Sequence, residues 1–274
     1  MTKICLVGID GLRPDLAIDR PDPLAPTLAR LAAEGSRTEL EMEVPTISGP
    51  GWASLLTGTT HAQHGIRDNS FVGSRLWEYP DLLSRAFYKN QATRTFAASS
   101  WPPLVDPAGP SGPVIHPRLE QQYAGKHTVI VRDGETYGYQ TQDADVTAWA
   151  SADLAAFGRE VYFVYLGEVD LASHVFGAIG PECAAAMRRV DGHLALLVAA
   201  VCARAEQGED WLVVVVTDHG HLDEGGHGGD SAVERRSFTI ARRFGPDQSL
   251  DWPKQLAPHQ LVDTLLAFVP AGTP

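Results

Sequence analysis

The run Val213–Asp230, VVVVTDHGHLDEGGHGGD, passes from four valines straight into a segment with three histidines, four acidic residues and five glycines. Imidazole and carboxylate together make a donor set that suits zinc, manganese or iron better than calcium. Two other apolar runs also close on an aspartate: Lys3–Asp10 (KICLVGID) and Glu160–Asp170 (EVYFVYLGEVD). Asp170 is followed four residues later by His174, a spacing that one helical turn or a compact loop brings onto a single ion. Asp218 and His219 are adjacent, and His227 follows a glycine-rich bend. A lone aspartate after a strand is ordinarily a helix cap or a turn residue. Three of them crowded together would raise one another's pKa and strain the fold unless a cation lay among them. The glycines at 225, 226, 228 and 229 fit either a flexible surface loop or a tight turn that aims His227 back at such a site. One hydroxyl joins this inventory. Ser48, in PTISGPGWASLLTG, stands just before a helical-looking stretch. It reads as an N-cap or as a hydroxyl placed where free helix N–H groups favour an anion.

The elements that must position these residues alternate. The three apolar runs are short, continuous and rich in β-branched residues, as parallel strands buried on both faces are. Between Asp170 and Trp211, the residues Met187, Val190, Leu194, Leu197, Val201 and Ala205 recur at helical spacing and mark an amphipathic crossover helix. Pro26–Gly35 reads as another helix, with Gly35 as its stop. The pattern predicts an α/β fold, a three-layer α/β/α sandwich around a mostly parallel central sheet, in which ligands gather beyond the carboxyl ends of the strands. The whole chain, 1–274, is expected to form a single domain. Residues 70–145, rich in Pro, Gly and Ser, are expected to form a small irregular insertion over the sheet edge. It would include a hairpin turning at Asp133-Gly134.

Composition narrows the function. Lys and Arg total 22 against 34 Asp and Glu, a formal charge of -12 that repels polymeric nucleic acid. Cys5, Cys183 and Cys202 have no paired spacing, which argues against both a disulfide framework and a thiolate zinc site. No apolar run is long enough to span a bilayer and no leader pattern opens the chain, so a soluble cytoplasmic protein without membrane association is expected. Oligomeric state is not written in the sequence.

Six segments in order resemble the alkaline phosphatase superfamily, and within it the nucleotide pyrophosphatase/phosphodiesterase branch. They are VGIDGLRPD, PTISGPGWASLLTG, HGIRDN, YLGEVDLASHVFG, TDHGH and GGHGG. The resemblance implies two divalent ions, zinc or manganese. One would be held by Asp10, Ser48, Asp218 and His219, the other by Asp170, His174 and His227. Ser48 would be the nucleophile and form a phosphoseryl intermediate in the hydrolysis of a small-molecule phosphodiester or nucleotide pyrophosphate. The branch places an asparagine three residues after the nucleophile where this chain has Gly51. Phosphate-binding donors are therefore expected from backbone near Gly49 and Gly51 and from Asn69. Ser173 replaces the glycine of the family's D-x-x-G-H motif, and His221 is expected outside the ligand set. The alternatives are a phosphomonoesterase or phosphonate hydrolase of the same superfamily, and an inactive metal-binding scaffold. A sulfatase is disfavoured because Trp52 stands where its motif needs an arginine.

Overall fold

Alternate residues of the apolar runs point to opposite faces of a sheet, and both faces are buried. In the computed structural model, which describes residues 1–109 and 111–272, the chain contributes seven strands to one sheet. These are β1 (Thr2–Ile9), β2 (Ser36–Glu41), β3 (Thr95–Ser99), β4 (His127–Val131), β5 (Val161–Leu166), β6 (Asp210–Val216) and β7 (Arg236–Phe244). Their order is β2-β7-β6-β1-β5-β3-β4. The five strands from β6 to β4 run parallel, whereas β7 is antiparallel to both β6 and β2.

Each central strand feeds two cores. Ile4 and Leu6 of β1, Phe163 of β5 and Val214 of β6 pack on one side, with helices Ser48–Thr57, Leu82–Lys89 and Leu261–Leu266. Cys5, Val7, Val164 and Val215 pack on the other, with helices Pro26–Glu34, Tyr139–Ala156 and Pro181–Ala205. The result is the expected three-layer sandwich with a mostly parallel sheet. The crossover helix buries Met187, Val190, Leu194, Leu197 and Val201, with Ala205 half-buried at its end, and Gly35 follows the last residue of Pro26–Glu34 as predicted. Cys5, Cys183 and Cys202 are free thiols. Among the described residues no helix is long and apolar enough to cross a membrane.

The segment 70–145 departs from expectation. It carries helix Leu82–Lys89 and two strands of the sheet itself, β3 beside β5 and β4 at the edge, so its middle is part of the scaffold and does not lie over it. The hairpin at Asp133-Gly134 is absent. His127–Val131 pairs in parallel with β3, and Asp133 caps a short helix by accepting the Thr136 N–H at 2.9 Å. An Asp-Gly pair suits a tight turn and a helix start equally, because both use the carboxylate as a local acceptor. Pro110 and the last two residues lie outside the described part of the chain.

Candidate active site

β6, β1 and β5 are neighbours in the sheet, so their carboxyl ends lie side by side. Asp10 follows β1 directly and Asp218 follows β6 after Thr217. Asp170 lies not at a strand end but in the first turn of helix Glu168–Phe176, which puts His174 one turn further on the same face. The buried carboxylate of Asp143 sets this helix by accepting the N–H groups of Gly167 at 3.1 Å and Glu168 at 2.9 Å. Ser173 keeps its place in that helix by donating its hydroxyl to the Val169 carbonyl.

Two clusters result. Asp10, Asp218 and His219 form one, and Asp170, His174, His221 and His227 the other. In the first, His219 Nδ1 lies 3.1 Å from the Gly220 carbonyl, which can only accept, so the ring proton sits there and Nε2 presents a lone pair. That nitrogen is 3.4 Å from Asp10 Oδ1, 3.3 Å from Asp218 Oδ2 and 3.2 Å from Ser48 Oγ. Asp218 Oδ2 is buried with no hydrogen-bond partner among the described residues. Lone pairs thus converge with one hydroxyl proton among them, an arrangement that a divalent cation satisfies. Burial and the neighbouring Asp170 hold the Asp10 carboxyl up at about 6, and burial pushes Asp218 well above the usual carboxylate range. Burial, with the neighbouring imidazoles, keeps His219 neutral.

In the second cluster, His227 Nδ1 donates to the Thr46 carbonyl at 2.7 Å, again leaving Nε2 as the lone pair. That atom stands 2.9 Å from His174 Nε2 and 3.6 Å from Asp170 Oδ1. Thr46 also clamps the glycine-rich loop, its hydroxyl accepting the Gly228 N–H and donating to the Gly229 carbonyl. Gly225, with φ of +95°, is required here because a side chain would meet the Ser173 carbonyl at 2.4 Å. His221, expected outside the ligand set in a supporting or surface role, is fully buried and supports Asp170, its Nε2 lying 2.7 Å from Asp170 Oδ1. Its Nδ1 has no hydrogen-bond partner among the described residues, so the proton belongs on Nε2, donated to the carboxylate. Its histidine type was legible in TDHGH, but its direction was not.

Ser48 is not a helix cap. It is the first residue of helix Ser48–Thr57, makes no cap bond, and turns its buried hydroxyl toward Asp10 Oδ1 at 3.4 Å. The backbone donors expected nearby are already committed: Asn69 Oδ1 takes the Gly49 N–H at 2.8 Å, and the Ile47 carbonyl takes that of Gly51. Asn69 therefore ties down the start of helix Ser48–Thr57. Gly51 serves by being small, since a Cβ there would approach Asp218 to 3.2 Å. Thr46, Asn69 as the Gly49 acceptor and Asp143 carried no positional signal in the sequence beyond their residue type.

Solved structures with this fold include human ectonucleotide pyrophosphatase / phosphodiesterase 5, with 14% identity, a TM-score of 0.69 and coverage of 100% of this chain and 96% of that one. The murine counterpart, solved as an inactive variant in complex with AMP, has 15% identity, a TM-score of 0.70 and the same coverage. Phosphonoacetate hydrolase from Sinorhizobium meliloti 1021, in complex with phosphonoformate, has 18% identity and a TM-score of 0.56 over 80% of this chain, which spans 56% of that enzyme's length. No curated protein sequence matches. The profile of the type I phosphodiesterase / nucleotide pyrophosphatase family matches residues 4–233, a span that contains every member of both clusters and Ser48, and the chain therefore belongs to that hydrolase family within the alkaline phosphatase superfamily.

Proposed function

We propose that this protein hydrolyses phosphodiesters or nucleotide pyrophosphate bonds, with Ser48 as nucleophile. Two divalent cations, zinc or manganese, would be held by Asp10, Asp218 and His219, with Ser48, and by Asp170, His174 and His227. The observation that carries this reading is the meeting of Asp10 Oδ1, Asp218 Oδ2 and the His219 lone pair around Ser48 Oγ. When bound, the cations would supply Lewis acidity to the phosphoryl oxygens, the serine hydroxyl and water.

The chain's own residues account for the rest. Ser48 Oγ attacks phosphorus, the bond to the leaving oxygen breaks, and the serine proton leaves with the departing alcohol or phosphate. Water then cleaves the phosphoserine, returning a proton to Ser48 and releasing the second product. The Asn69 NH2 group donates to a nonbridging oxygen. The Arg13 guanidinium does not serve the phosphate, being engaged by Asp15, Asp223 and the His221 carbonyl. With Arg13 engaged in this way, its charge is not offered to the extra charged oxygen of a monoester dianion, and this favours a diester with one negative charge. The AMP bound by the murine neighbour supports a nucleotidyl group as one that the site accepts. Three free cysteines, Cys5 and Cys183 buried and Cys202 half-buried, fit a reducing compartment such as the cytoplasm.

The test is the ratio of kcat/KM for a bis-aryl phosphate to that for the matching aryl monophosphate, at one pH and metal loading, with phosphonates and sulfate esters in the same screen. The expected ratio is well above one, with weak turnover of sulfates. A ratio below one would overturn the diester assignment in favour of a phosphomonoesterase.

A further inference from the structure

Asp10 is a buried carboxylate whose two oxygens have separate surroundings. Oδ1 faces Ser48 Oγ and His219 Nε2, both at 3.4 Å. Oδ2 accepts two neutral hydrogen bonds, from Trp52 Nε1 at 2.8 Å and from the Tyr165 hydroxyl at 2.6 Å. Trp52 is fully buried and stands four residues after Ser48 on the same helix, one turn behind the nucleophile. Its ring reaches Asp10 by lying across Gly8 of β1, where a Cβ would come within 2.4 Å of the indole. Tyr165 packs edge-on against it, with ring centroids 5.4 Å apart and planes at 76°.

We infer that Trp52 is a positioning residue: its indole N–H, with the Tyr165 hydroxyl, occupies Asp10 Oδ2 so that only Oδ1 is offered to the site, and it does so from the helix that carries Ser48. The inference rests on the two-ion reading proposed above. One rigid element then sets both the nucleophile and the carboxylate that faces it, so their separation does not depend on a loop. Packing alone would be served by any large aromatic ring. What the indole adds is a donor aimed at a buried anion, which a phenyl ring lacks. Without that donor Oδ2 is held by the Tyr165 hydroxyl alone, and the carboxylate is no longer fixed with Oδ1 aimed at the site.

The experiment compares three proteins: wild type, Trp52→Phe, and a variant in which Trp52 is replaced by benzothienylalanine, whose sulfur stands for the N–H in a ring of nearly the same shape. Cobalt(II) is the probe, read by its absorption spectrum and by the two dissociation constants, alongside kcat and KM. In the benzothienyl variant one constant is expected to rise about 10–100-fold while the other stays, with a changed cobalt spectrum and a lower kcat at nearly unchanged KM. Tyr165→Phe should move the same constant in the same direction. If Trp52→Phe fails to fold, the isosteric replacement still decides. A benzothienyl variant with both constants and the spectrum of the wild type would overturn the inference and leave Trp52 as packing only. A wild-type protein that binds no cobalt would instead overturn the two-ion reading, and this inference with it.

Discussion

At the scale of single residues, direction matters more than type. Ser48 could have been a cap, and its helix begins one residue earlier than a cap would need, so its hydroxyl is spent on Asp10 and His219. Ser48→Ala therefore loses no cap bond. Melting temperature and metal content should stay close to wild type while turnover falls by several orders of magnitude. Near wild-type turnover in that variant would contradict the nucleophile assignment, and a large loss of stability would point back to a structural role. The histidines divide in the same way. His219 and His227 each give a ring proton to a backbone carbonyl and so turn a lone pair inward, whereas His221 has no such carbonyl and gives its proton to Asp170.

At the scale of elements, the helix Glu168–Phe176 carries Asp170 and His174 and depends on Asp143 for its entry. The Asp143 carboxylate accepts two N–H groups at that helix's start from the neighbouring helix Tyr139–Ala156, a capping bond made across the fold. Asp143→Ala should cost about 0.5–2 kcal/mol, the range for a lost cap, and weaken binding of the cation at Asp170 and His174. Its pH dependence has a definite sign. Burial pushes the Asp143 carboxyl up to about 7, so the stability it contributes is present below the ordinary value near 4 and is lost as pH rises through about 7. The deficit of the variant, measured by chemical denaturation, should be larger at pH 5 than at pH 8. A deficit that grows with pH would show that the two hydrogen bonds hold the charged form more strongly than burial opposes it.

At the scale of the whole molecule, the site exists only because β6, β1 and β5 are adjacent. Two buried carboxylates, Asp10 and Asp218, with the half-buried Asp170 beside them, are costly to the ion-free protein, and cations would offset that cost. Two divalent ions per chain are expected by elemental analysis of protein purified without chelator, and one or none would contradict the assignment. At a free ion concentration 100 times the dissociation constant, one site adds about 2.7 kcal/mol. The pH dependence again follows from burial. With Asp10 held at about 6, its contribution to the ion-free fold is lost as pH rises through that value, while the cation takes the charged form. Below about pH 6 protons compete and affinity falls. The gap in melting temperature between loaded and chelated protein should therefore widen from pH 5 to pH 7.5 in calorimetry.

Local pattern in the sequence was enough for the strands β1, β5 and β6 and the helices Pro26–Glu34 and Pro181–Ala205, while the family resemblance named Asp10, Asp170, His174, Asp218, His219 and His227, which fall in the two clusters. Continuous β-branched runs and a 3.6-residue period report whether a residue is buried, and the aspartates stand where those runs end. Burial does not say against what. The membership of β3 and β4 in the sheet was hidden because β4 is a half-buried edge strand in a segment rich in Pro and Gly, without clean alternation. The Asp133-Gly134 pair misled because one carboxylate serves two local conformations. Only the tertiary structure decided that Ser48 is not a cap, that His221 belongs to the site and that Thr46 fixes His227. It alone put Asn69 on Gly49 and Trp52 on Asp10. Each of these is a bond between residues 20 to 181 positions apart or a choice of side-chain direction. Such pairings are set by which strands are neighbours and which helix faces meet, quantities that no short window of sequence contains.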